Sequence, residues 1–160
     1  MQTSILLSGI ALFLVAAHSD IKSLLIPNKL AIAVAALGIF RLFVIGDLSV
    51  AIQTASASMI IFIVTFLLFW RGILGGGDVK LLSATVLLIG YRDLFSFLLI
   101  MSICGALVSL AILFIRNYLP LWLGPRLAVL APKARLVVPY GVAIAAAGTV
   151  TLLLQSSFIG

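Results

Sequence analysis

The stretch VAIQTASASMIIFIVTFLLFW, residues 50–70, carries no charge, proline or glycine. A helix needs about 20 residues, at about 1.5 Å each, to cross about 30 Å of hydrocarbon. This stretch therefore predicts a transmembrane helix. Working outward, further apolar blocks bounded by charge, Pro or Gly predict helices over 4–19, 29–46, 77–91, 94–115 and 138–158. The expected fold is all-α, a polytopic membrane bundle of about six helices. Composition agrees, with 64% of 160 residues hydrophobic and 9% charged, far outside the range of soluble globular domains. No whole-helix repeat, low-complexity tract or second domain is evident, so a single integral membrane domain over 1–160 is expected.

The fourth block is short. From Val79 to Tyr91 a helix rises only about 20 Å, so the segment either is re-entrant or starts earlier, among the glycines before Asp78. Positive charge, which concentrates in cytoplasmic loops, decides between these. With six crossings and the N-terminus outside, Lys22, Lys29, Arg71, Lys80, Arg116, Arg126, Lys133 and Arg135 fall inside and only Arg41 and Arg92 outside. Six crossings with both termini outside are therefore expected. Met1 to Ala17 has no basic residue before its apolar run, which predicts a retained first helix and not a secretory signal. The segment 116–137, with Pro120, Trp122, Pro125 and Pro132 among basic residues, reads as a cytoplasmic interfacial hairpin or short amphipathic piece.

The net charge of +6 is scattered over the ends of apolar blocks, which suits membrane orientation and lipid contact and argues against a nucleic-acid partner. A lone cysteine, Cys104, excludes an internal disulfide and a zinc site built from paired cysteines. It reads as a small packing residue.

Four aspartates are the entire acidic inventory: Asp20, Asp47, Asp78 and Asp93. Asp47 and Asp93 stand between apolar blocks and read as solvated loop charges. Asp20-Ile21-Lys22 and Asp78-Val79-Lys80 repeat one pattern at cytoplasmic ends of apolar runs, so a bundle could bring the two carboxylates together. A carboxylate at or in hydrocarbon is costly and points to function. The bland alternative is that each aspartate pairs with its nearby lysine. Gly75-Gly76-Gly77 before Asp78 weaken a helix by about 1 kcal/mol each, favour irregular backbone beside a wet cavity, and would let a substrate backbone approach.

Two neighbouring carboxylates share a proton, one serving as general base toward water and the other as general acid toward a carbonyl. That chemistry needs no metal and no cofactor. His18 could tune Asp20, although a passive interfacial role is simpler. Lys22 and Lys80 read first as anchors that reach lipid phosphates or acidic groups of a substrate. Pro27 and Asn28 suit a turn and the start of the second helix.

Gly75-Gly76-Gly77-Asp78-Val79-Lys80 resembles the Gly-x-Gly-Asp motif of the prepilin peptidases. Asp20-Ile21-Lys22 followed by Ile26-Pro27-Asn28 resembles that family's first aspartate segment, and Pro139-Tyr140-Gly141 its pattern at the last span. The resemblance implies cleavage of the basic leader from type IV pilin-like precursors at the cytoplasmic face of the inner membrane, with Asp20 and Asp78 as the catalytic pair. The larger members' cytosolic insertion with paired cysteines, which accompanies methylation, has no counterpart here. The chain looks like the short form of Tad or Flp systems, or like archaeal preflagellin peptidases. Presenilin-like proteases share Gly-x-Gly-Asp, but their first aspartate follows a tyrosine, whereas Ser19 precedes Asp20. A non-enzymatic transporter or assembly subunit with a paired-aspartate ion site explains the acids but not the glycines or the matching second segment.

Overall fold

The computed structural model describes residues 2–23, 25–123 and 140–157, which form six α-helices, one 3-10 turn and, among the described residues, no strand. The helices are α1 (Gln2–Ser23), α2 (Asn28–Ile45), α3 (Leu48–Trp70), α4 (Gly76–Ile89), α5 (Leu94–Leu123) and α6 (Tyr140–Ser157), with the turn Tyr91–Asp93 before α5. All but α4 contain a stretch long and apolar enough to cross a membrane.

Local chemistry sets the boundaries. Pro27, with φ −60°, precedes α2 in the extended conformation that a proline ring favours, and its carbonyl accepts the Leu30 N–H at 3.0 Å. Gly46 closes α2 in the left-handed region at φ 69°, where a side chain would be strained. Asp47 then caps α3, its carboxylate accepting the N–H groups of Ser49 at 2.8 Å and Val50 at 3.3 Å. These are two of the amide groups that a helix start leaves without intrahelical partners. Asp47 is therefore exposed, as expected, but works as a helix cap.

Two helices run past their predicted C-terminal ends. α1 continues through Asp20 and Lys22 to Ser23, because one lysine at an interface ends an apolar run without ending a helix. α5 continues past the predicted end at 115 to Leu123 for the same reason: Arg116 limits the hydrocarbon-embedded portion, not the helical hydrogen bonding. The rest of the predicted basic loop, together with Pro139, lies outside the described residues.

α4 is the central helix, flanked by α2, α3 and α6. Leu81, Val86 and Leu88 on it are wholly buried. α1 and α6 run antiparallel, with Gly9 beside Leu152 and Gly148 beside Phe13. A Cβ on Gly148 would stand 2.6 Å from the Phe13 ring, so the absent side chain is what admits Phe13, as small residues do at membrane helix contacts. α3 and α5 lie toward the outside. Residues such as Phe66, Leu107 and Phe114 are exposed on them, as a lipid-facing surface requires.

Candidate active site

On α1 the buried positions are Ile5, Gly9, Phe13, Ala16 and Asp20, spaced by three or four residues and therefore on one face. Asp20 is the last member of that stripe and only 4% exposed. Lys22, two residues on, is turned away and exposed. The antiparallel packing of α1 and α6 delivers Asp20 to the start of α6. There its carboxylate accepts the Val142 N–H at 3.2 Å, and the Gly141 amide also acts on it. Amide groups in the first turn of a helix lack intrahelical partners and sit at the positive end of its dipole, so α6 presents an anion site to Asp20.

Asp78 stands in the first turn of α4, whose N-cap is Gly75. The Gly75 amide acts on its carboxylate electrostatically, from the side on which an acidic third residue closes a capping box. Unlike Asp20, it is half-buried. The two carboxyl groups lie close enough to act on each other electrostatically. Two helix N-termini thus converge on the two carboxylates.

The glycines pack more closely than an open loop would. Gly76 and Gly77 are inside α4, so the irregular backbone expected there is confined to residues 71–75. A Cβ on Gly75 would stand 2.8 Å from Asp78 Oδ2, and one on Gly77 would stand 3.1 Å from Ile26 Cβ. Ile26 also reaches the other half of the site, since a Cβ on Gly141 would meet its Cδ1 at 2.9 Å. Ile26 is thus a wedge between the starts of α4 and α6. Sequence reasoning quoted it only as a motif position, and a large apolar residue just before a Pro-Asn helix start was the available signal.

Lys80 donates from Nζ to Asn28 Oδ1 at 3.0 Å, tying α4 to the start of α2. Among the described residues neither Lys80 nor Lys22 forms an ion pair with Asp20 or Asp78, so the bland pairing does not account for the aspartates. His18 and Tyr140 are exposed, and Cys104 is half-buried on α5.

Asp93 departs from the reading as a solvated loop charge. Its carboxylate accepts a hydrogen bond from Gln155 Nε2 at 2.6 Å, because the 3-10 turn folds it back against α6. Arg41 lies on α2, within the predicted 29–46 helix, where it donates to the Leu88 carbonyl and, at 3.1 Å, to Gln155 Oε1. An arginine inside the predicted 29–46 span and a glutamine inside 138–158 were the signals for this cluster, since such groups in a membrane span need partners.

A helical bundle with five membrane-length apolar helices and two carboxylates brought to one end describes an integral membrane protein with a polar cluster at that end. The model of the Type IV leader peptidase family matches residues 7–110, which include both aspartates, and the chain belongs to that family. It is therefore a membrane peptidase of the prepilin peptidase type, whose substrates are in general terms pilin-like precursors. No curated protein and no solved structure gives a significant match to the chain. The matched region ends before α6, so Gly141 and Val142 stand outside it.

Proposed function

We propose that the protein is an intramembrane aspartyl endopeptidase that removes the leader of a type IV pilin-like precursor of the Flp class at the cytoplasmic membrane face, with Asp20 and Asp78 as its catalytic pair. The observation that carries this reading is the electrostatic proximity of two carboxylates, each at a helix N-terminus. With one proton between them, the ionised carboxylate takes a proton from water as its oxygen attacks the scissile carbonyl carbon. The protonated carboxyl gives its proton to the carbonyl oxygen. The tetrahedral diol then collapses: one hydroxyl proton returns to a carboxylate, the C–N bond breaks, and the departing nitrogen takes a proton from the other carboxyl. One shared proton is again left on the pair.

Charge distribution supports the cytoplasmic placement of the pair and the outer placement of both termini. The basic leader would remain near the membrane surface while the precursor's apolar helix lies in lipid beside the bundle. A helical peptide keeps its carbonyls in internal hydrogen bonds, so the scissile segment must be extended before attack. Gly75 to Gly77 and Lys80, with Lys22 at the same end of the bundle, are the groups assigned to that segment and to acidic groups on the precursor.

The test is cleavage of a pilin-like precursor peptide by purified protein in detergent, with no ion gradient, read by mass spectrometry. A cut at the leader junction that disappears in Asp20→Asn and in Asp78→Asn is expected. Normal processing by either variant would overturn the aspartyl mechanism. Cleavage of an archaeal preflagellin peptide in preference to a Flp-type peptide would reassign the substrate class.

A further inference from the structure

α4 is 14 residues long, about 21 Å at 1.5 Å per residue, so its far end stops short of a bilayer core about 30 Å thick. Its last carbonyls have no intrahelical donors, and at membrane depth the protein must supply them. Arg41 donates to Leu88 O, and Gln155 Nε2 donates to Ile89 O at 2.7 Å. Gln155 also bridges Arg41 to Asp93, whose charge acts on the guanidinium. Thr54, fully buried on α3, accepts the Tyr91 N–H at 3.4 Å just beyond the helix. α2, α3 and α6 therefore all hold the end of α4 by polar contacts.

Leu88 and Ile89 are buried at that end, but the packing leaves space beside Arg41. Cavities of about 160 Å³, against Thr54 and Tyr91, and about 50 Å³, against Ile5 and Leu152, both border Arg41. One turn earlier on the same face of α2, a Cβ on Gly38 would stand 2.9 Å from the Leu87 carbonyl carbon. Gly38 brings α2 against the α4 backbone, and Arg41, three residues on, grips the helix end.

We propose that Arg41, bridged through Gln155 to Asp93, is a positioning residue that sets the axial register of α4 and thereby the placement of Asp78 against Asp20. It acts from about 15 Å away, the rise of the ten residues between Asp78 and Leu88. A helix transmits axial displacement along its length, so a shift at Leu88 is a shift at Asp78. The consequence for cleavage rests on the catalytic reading of the two aspartates, but the geometric claim does not.

The test therefore has two arms. In a Cys104→Ala background, Asp20→Cys and Asp78→Cys are combined, and their cross-linking by a short bifunctional thiol reagent is followed in membranes with Arg41 intact, with Arg41→Met and with Arg41→Lys. Slower cross-linking by about fivefold or more in Arg41→Met, largely restored in Arg41→Lys, is expected because lysine keeps a charged donor for the same carbonyls. In the otherwise native chain, Arg41→Met should lower kcat, normalised to folded protein, by roughly 10- to 100-fold with KM little changed, as expected for a displaced reacting group. If Arg41→Met does not insert, Gln155→Met, which removes the bridge and the donor to Ile89, is read by the same two measurements. Unchanged cross-linking in the variant that folds overturns the proposal, even if kcat falls. Altered cross-linking with native cleavage would leave the register role standing and count against the aspartate pair as the catalytic centre.

Discussion

A Cβ on Gly141 would stand 2.8 Å from Asp20 Oδ2 and 2.9 Å from its Cγ. The first turn of α6 can donate its amide groups to the aspartate because this position has no side chain. Gly141→Ala should slow cleavage by about tenfold or more through displacement of the carboxylate. Helix propensity would itself favour alanine by up to about 1 kcal/mol, so a loss of activity would have to come from the steric contact. Gly105→Ala is the matched control, because its Cβ would meet only Ala143 Cβ at 3.9 Å. Equal rates for native protein and Gly141→Ala would count against Asp20 as a catalytic group.

Asp20→Asn and Asp78→Asn should each remove nearly all cleavage while leaving insertion unchanged, since members of one catalytic unit are not additive. Asp47→Ala should instead cost about 1 kcal/mol of stability through loss of the α3 cap and leave the rate per folded molecule alone. Thermal unfolding and initial rates separate these outcomes.

On the proposed mechanism, in which the pair holds one proton, the rate should be bell-shaped in pH. At low pH both carboxyls are protonated and no base remains; at high pH both are ionised and no acid remains. A single sigmoidal rise without an alkaline fall would remove the need for a protonated partner.

Gly77→Val should strike Ile26 and spread the starts of α4 and α6, slowing cleavage by about tenfold or more. Adding Ile26→Ala should restore much of the rate. Failure of that rescue would mean that obstruction of the precursor at Gly77, and not displacement of the wedge, sets the loss.

A cysteine at Ser157 in a Cys104→Ala background should be labelled from outside the cell and not from the cytoplasm, following the positive-inside count. Labelling only from the cytoplasm would remove one crossing from the topology.

Six helices were legible because hydrocarbon-length apolar blocks are a strong signal, and their starts at Asn28, Leu48 and Tyr140 fall within two residues of those read from sequence. The ends of α1 and α5 were less legible, since charge marks where a helix leaves lipid rather than where it stops. Asp20 and Asp78 stood out because acids are scarce and the two segments resemble each other. Arg41, Gln155 and Asp93 were missed for the opposite reason. Each looks ordinary alone, and only the arrival of the unfinished end of α4 between them gives them a task. Gly141 was quoted from a motif, but its contact with Asp20 depends on an antiparallel pairing of the first and last helices that local sequence does not encode.

The shortness of α4 beside helices of 18 to 23 residues, α1, α2, α3 and α6, should make the host bilayer a variable of catalysis. Longer helices meet a thicker membrane by losing tilt and a thinner one by gaining it, whereas α4 is suspended from them at both ends and follows their motion. Lipid thickness should then govern how deeply the aspartates are recessed and how readily water reaches them. Reconstitution in phosphatidylcholines of increasing acyl length, with everything else fixed, should give a cleavage rate with an optimum rather than a plateau. The sensitivity arises from a helix that contacts the bilayer largely through its neighbours.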